Sequence, residues 1–168
     1  GMGRDQSPYA WMKATNTELV QNYSNWFNLP YAITYFYNVY GDRELAEGPY
    51  ASVMGRFKTQ FLKDEPITVV TPGTQRRNFT HVKDIVNGLI HVGEKGYGDE
   101  YGIGSDEAIS ILELAQLFSG KIEMLPERAG NRMDARVETH RVKNEFSWAP
   151  KHSVRDYVAE IVKRAKSA

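Results

Sequence analysis

Two periodicities alternate along this chain, and that alternation limits its fold more than any other feature. Stretches with apolar residues three and four apart, the helical spacing, take turns with short β-branched and aromatic stretches bounded by turn residues. Met12, Leu19, Val20, Tyr23, Trp26 and Phe27 follow the helical pattern. Ser7-Pro8 supplies a start, with serine as the cap and proline at the first helical position. A helix is therefore expected over Pro8–Phe27, broken by Asn28-Leu29-Pro30. Tyr31–Tyr37 reads as a buried strand, with Phe36 and Tyr37 in the core, and Asn38–Pro49 as loop. Val53, Phe57 and Phe61 place a helix over Ala51–Lys63. A strand follows at Ile67–Val70, a turn at Pro72-Gly73 and a strand at Asn78–Val82. Ile85, Val86, Leu89 and Ile90 mark a helix that ends in the glycines from Gly93 to Gly98. Beyond it come a strand at Tyr101–Ile103, a helix behind the capping box of Ser110 and Glu113, and a strand at Lys121–Leu125. A short helix capped by Thr139 and a last helix capped by Ser153 close the pattern. The class is α/β.

Composition narrows what such a fold does. The 168 residues make one domain's worth of chain, 41% hydrophobic and 25% charged, enough for a packed core. Lys+Arg and Asp+Glu both number 21, so the basic excess of a dedicated nucleic-acid binder is missing. No apolar run approaches the roughly 20 residues of a membrane span. Cysteine is absent, which excludes disulfides, thiolate metal sites and a thiol nucleophile, and fits a reducing cytoplasm. Gly1-Met2 reads as a tag remnant ahead of the encoded start, with no secretory pattern after it. His81, His91, His140 and His152 show neither metal-like spacing nor a clear acidic partner and are read as structural or surface residues.

Tyr9 and Lys13 lie four apart at a helix start, on one face. A free phenol titrates near 10, and a neighbouring cation lowers that value, so such a pair can move a proton on a sugar or alcohol hydroxyl. Arg76, Arg77, Arg128, Arg132 and Arg136 cluster in two polar segments. Guanidinium groups meet the paired oxygens of a diphosphate with forked, charge-assisted bonds.

Ordered segments give these residues a context. Ser7-Pro8-Tyr9-Ala10-x-x-Lys13 resembles the active-site helix of the extended short-chain dehydrogenases/reductases, the NAD-dependent nucleotide-sugar epimerases and dehydratases. Tyr35-Phe36-Tyr37-Asn38-Val39-Tyr40-Gly41-Asp42-Arg43 resembles the family's strand ending in Asn-Val-Tyr-Gly-Pro-Arg. Gln75-Arg76-Arg77-Asn78-Phe79-Thr80-His81-Val82-Lys83-Asp84 is similar to its Gln-x-Arg-Asp-Phe-x-x-Val-x-Asp segment. Tyr101-Gly102-Ile103-Gly104-Ser105, Arg128-Ala129-Gly130-Asn131 and Trp148-Ala149-Pro150 match later segments in order.

The resemblance implies a function for each matched position. Tyr9 is the acid/base, and Lys13 holds the nicotinamide ribose and lowers the tyrosine's pKa. Phe36 meets the nicotinamide end of NAD, Asn38 contacts substrate, and Arg77 and Arg128 clamp the diphosphate of a nucleotide-sugar. It also implies gaps. No Gly-x-x-Gly-x-x-Gly pyrophosphate loop is present, and the Ser/Thr that assists the tyrosine would lie upstream of residue 1. The chain is thus expected to be the C-terminal half of such an enzyme: the C-terminal part of a doubly wound Rossmann-type sheet plus a small α/β substrate lobe. Residues from about 3 to 45 would belong to the dinucleotide-binding domain, and those from about 46 to 168 mainly to the lobe. The implied activity is a 4-epimerase acting through a 4-keto sugar, with this chain inactive by itself. A dehydratase fragment and a non-catalytic nucleotide-sugar binding or oligomerisation module remain as alternatives. The apolar helix Pro8–Phe27 is expected to form a homodimer.

Overall fold

The computed structural model describes residues 7–48, 50–127 and 137–167. Helix α1 (Pro8–Phe27) leads into strand β1 (Ala32–Phe36) and the short β2 (Val39–Tyr40). Helix α2 (Val53–Leu62) precedes β3 (Ile67–Val70), β4 (Arg76–Arg77) and β5 (Thr80–His81). Helix α3 (Val82–Lys95), β6 (Gly98–Ile103) and β7 (Ile109–Ser110) follow, then α4 (Ile111–Leu117), β8 (Ile122–Leu125), α5 (His140–Phe146) and α6 (Val154–Lys166).

Strands pair in twos. β1–β6, β2–β5 and β3–β8 are parallel, as an alternating chain requires, and β4–β7 is antiparallel. The class is α/β with Rossmann-type parallel pairing. Two cores result. The larger gathers Phe57 of α2, Ile67 and Val69 of β3, Leu114 of α4, Phe118, and Val158 of α6. The smaller packs Ile85 and Val92 of α3 against Tyr101 and Ile103 of β6, Val142 of α5 and Trp148. Close approach demands glycine at Gly102, where a Cβ would stand 1.8 Å from the Glu138 carbonyl oxygen.

Helix starts follow the sequence closely. Ser7 accepts from the Ala10 N–H at 3.1 Å, and Ser110 and Glu113 complete a reciprocal capping box. Thr139 is different. It precedes α5 without capping it, because its hydroxyl donates to Asp106 Oδ1 at 3.1 Å. A continuous strand over Asn78–Val82 is also not what forms. Its middle is β5, while Asn78 turns inward to donate from Nδ2 to the Ser105 carbonyl at 2.9 Å. Val82 opens α3 behind His81, whose Nδ1 accepts from the Lys83 N–H.

The expectation of a buried strand over Tyr31–Tyr37 is corrected. β1 pairs only with β6, and no neighbour covers its other edge among the described residues. Tyr35 is therefore 39% and Phe36 48% exposed, and Tyr37 is half-buried. α1 shares this condition, for none of its residues is buried. Polar contacts hold it to the sheet. Gln21 Nε2 donates to Asp99 Oδ2 at 3.3 Å, and the Tyr35 phenol lies between Asp99 and Thr17. Burial, reinforced by Asp99, pushes that phenol up to about 12.

The histidine expectation also needs correcting. Asp84 is buried and accepts from both the backbone N–H (3.0 Å) and Nδ1 (2.9 Å) of His152. The His152 ring stacks on His81 at 4.5 Å. These contacts tie α3 to the segment before α6, linking regions 68 residues apart in sequence. His140 lies 3.5 Å from Glu138.

Candidate functional site

α2 sets one wall of the main cavity. Its cap, Ser52, accepts from the Gly55 N–H at 2.9 Å and donates its hydroxyl to Glu44 at 2.6 Å. Burial pushes the Glu44 carboxyl up despite that bond. Gly55 presses on the same loop, since a Cβ there would stand 2.8 Å from the Leu45 carbonyl oxygen. So anchored, α2 turns Val53, Arg56 and Phe57 toward a cavity of about 520 Å³. This lies within the range of small-molecule sites.

The opposite wall comes from β3 and the segment after it. Thr68 is fixed by Gln60, whose Oε1 accepts from the Thr68 N–H and whose Nε2 donates to its hydroxyl. Gln75, Arg77 and Phe79 follow on the lining, and Asn38 closes one end. Asn38 sits in the left-handed region at φ 41°, which asparagine tolerates, and its Nδ2 donates to the Asn78 carbonyl at 3.4 Å. Gln75 is 5% exposed, and its Oε1 has no hydrogen-bond partner.

Charge on the described lining of this cavity has one sign. Among the described lining residues Arg56 and Arg77 are the ionised side chains, and no carboxylate joins them. The neighbouring arginine is engaged elsewhere. Arg76 pairs with Glu113 at 3.5 Å and donates to the Ala108 carbonyl. Adjacent residues on β4 thus divide, with Arg76 bracing α4 and Arg77 facing the cavity. A dianion with apolar and hydrogen-bonding extensions is what such a lining can hold.

The expected site residues fall into two groups. Asn38 and Arg77 meet in the cavity. Tyr9 and Lys13 meet on α1, with the Lys13 ammonium 5.7 Å from the centre of the Tyr9 ring and both side chains exposed. Phe36 ends β1, two residues before Asn38. Tyr9, Lys13 and Phe36 do not line the cavity. Arg128 lies outside the described residues, as do Arg132 and Arg136. Sequence reading missed Arg56 and Gln75. Gln75 stands in the quoted Gln-x-Arg segment, whereas Arg56 carries no local signal beyond its place on an amphipathic helix. No group of three or more histidine, aspartate or glutamate side chains suited to a metal ion occurs among the described residues. No helix there is long and apolar enough to cross a membrane.

The sequence profile of the family described as NAD dependent epimerase/dehydratase matches residues 2–104. The chain belongs to that family. A UDP-glucuronic acid decarboxylase of Arabidopsis thaliana is 27% identical over 164 residues, covering 94% of this chain and 37% of the relative. A UDP-N-acetyl-alpha-D-glucosaminuronate decarboxylase of Bacillus cytotoxicus is 40% identical over 89 residues, 52% of this chain and 27% of the relative. Among solved structures, a UDP-glucose 4-epimerase of Thermotoga maritima with UDP-glucose superposes at a TM-score of 0.87. It is 23% identical, and the match covers 96% of this chain and 54% of that one. The matches therefore cover between about a quarter and about half of the length of these relatives.

Tyr9 and Lys13 stand close together on an exposed helix face, and Phe36 is exposed at the end of β1. The glycine-rich loop for the pyrophosphate of the family's NAD is not in the sequence.

Proposed function

We propose that the cavity between α2 and β3 holds the nucleoside diphosphate of a nucleotide-sugar, and that the complete enzyme oxidises that sugar at C4. The observation that carries this reading is Arg77 together with Asn38 on the lining of a cavity that has no carboxylate among its described residues. Relatives named for UDP-sugars support it. Residues from about 3 to 45 serve the dinucleotide side and those from about 46 to 168 mainly the sugar side.

Each group then has a task. Arg77, with Arg128, grips the diphosphate through charge-assisted bonds, and Asn38 orients the sugar. The Tyr9 phenolate, favoured by the Lys13 charge, accepts the proton of the C4 hydroxyl and becomes the neutral phenol. Bound NAD supplies the acceptor and later the donor of a hydride. Return of the hydrogen to the opposite sugar face makes the enzyme a 4-epimerase, an isomerase that asks no acid/base group beyond Tyr9. Loss of water would need further acid/base residues, which the family resemblance implies lie upstream of Tyr9.

A thermal-shift panel with NAD, UDP, dTDP, GDP and UDP-glucose tests the binding reading. A ligand at a hundredfold its Kd stabilises by about 2.7 kcal/mol. One nucleoside diphosphate and its sugar should shift the melt, and NAD should not. A panel without any shift removes the nucleotide reading. Robust conversion of UDP-glucose by this chain with NAD would overturn the expectation that it is inactive alone.

We also assign α1 to a homodimer. Trp11, Met12, Leu19, Val20, Tyr23, Trp26 and Phe27 are all at least 41% exposed, and Leu19, Val20 and Tyr23 border an apolar groove of about 330 Å³. A clean monomer at tens of micromolar in size-exclusion chromatography with light scattering would end this assignment. The absence of cysteine supports a reducing, cytoplasmic setting.

A further inference from the structure

We infer that Arg56 is a further phosphate-binding residue, reaching the diphosphate from the α2 wall of the cavity. The inference rests on the nucleotide reading above. Arg56 lies at the end of the first turn of α2, on the cavity lining with Arg77. Its place is electrostatically poor for the helix. A helix N-terminus carries partial positive charge, and the first turn of α2 has no acidic residue to offset a cation there. No hydrogen bond or ion pair among the described residues engages the guanidinium, although the side chain is half-buried. The nearest acidic side chain in the capping arrangement, Glu44, is taken by Ser52.

An arginine held against the helix field with no partner gains one when a dianion enters the cavity. The same anion is favoured by the N–H groups of that turn. Gln75 lines the same cavity and is more than nine-tenths buried, and its unpaired amide oxygen, an acceptor, calls for a donor group of the ligand and leaves the phosphates to the arginines. Arg56 and Arg77 approach from different elements, so together they fix both the position and the roll of a diphosphate.

The test is titration calorimetry of UDP and of inorganic pyrophosphate against wild type, Arg56→Gln and Arg56→Lys, with a melt of each ligand-free protein. Arg56→Gln should melt at or above the wild-type temperature, since it removes an uncompensated charge. Its affinity for UDP and for pyrophosphate should fall in parallel, by about tenfold or more. Arg56→Lys should recover part of both, because it restores the charge without the fork. Unchanged UDP affinity in Arg56→Gln overturns the inference. So does a loss for UDP with pyrophosphate unaffected, which would put Arg56 on the base or sugar instead. If Arg77→Gln also binds UDP as wild type does, the nucleotide reading of the cavity falls too. If only Arg56→Gln is silent, that reading stands and this inference alone is lost.

Discussion

An Asp84→Ala variant should melt well below the wild type. The carboxylate is 3% exposed and accepts two bonds from His152. Its removal strands two donors and opens a void where α3 meets the approach to α6. Water can reach the half-exposed His152 ring, which softens the loss. The expected cost is about 2–3 kcal/mol, or roughly 5–10 °C in Tm for a domain of this size. A change under 1 °C by calorimetry would show that the bridge between the two cores carries little.

The neighbouring His81 adds a pH dependence. Burial, with the His152 ring beside it, holds its pKa below the usual imidazole value, and its Nδ1 must stay unprotonated to accept from the Lys83 N–H. The unfolded chain therefore takes up this proton more readily than the folded one. The contribution of His81 is complete above about pH 6.5, the ordinary histidine value, and is lost as pH falls below it. In His81→Asn, which can still cap α3, that part of the acid-side decline should disappear from urea midpoints measured between pH 7 and 5.

Replacing Arg77 with alanine should have the largest effect on binding. Its guanidinium lines the cavity and also donates to the Arg76 carbonyl at 2.7 Å, so the chain positions it before any ligand arrives. Charge-assisted bonds to phosphate contribute about 1.5–3 kcal/mol, so UDP affinity should drop roughly 10- to 100-fold. Arg76→Ala is the control. That side chain braces Glu113 and the Ala108 carbonyl, so its loss should lower Tm and leave UDP affinity near wild type. The reverse pattern would reassign the two arginines.

Local chemistry was legible where it acts within a few residues. Ser7-Pro8, the Ser110–Glu113 box and the helical spacing of α2 and α6 announce themselves, because caps and amphipathic stripes depend on neighbours three and four apart. The Tyr9–Lys13 pair showed in its helical spacing of four, whereas the roles expected of Asn38 and Arg77 came from ordered motifs. Long-range pairings were not legible. Nothing local joins Asp84 to His152, or turns the Thr139 hydroxyl to Asp106 instead of the helix it precedes. Burial of β1 was misjudged for a related reason. An apolar, β-branched segment records that it suits a covered surface, but not which element covers it. Arg56 escaped because a lone arginine on a polar face looks like any solvated charge until the fold puts it in a cavity.

The absence of any buried residue on α1 has an energetic consequence. Both cores lie elsewhere, so a twenty-residue helix relies on its own hydrogen bonds, its serine cap and a few polar ties. It belongs to the least cooperative part of the molecule and can open without dissolving either core. Every surface that engages α1 selects its closed form, so observed affinity is the intrinsic one scaled by the fraction of time the helix is formed. Tyr9 and Lys13 sit on this element. On the proposed roles of Tyr9, Lys13 and α1, proton transfer and self-association would be thermodynamically linked, because whatever clamps the helix raises the population in which phenol and ammonium stand together.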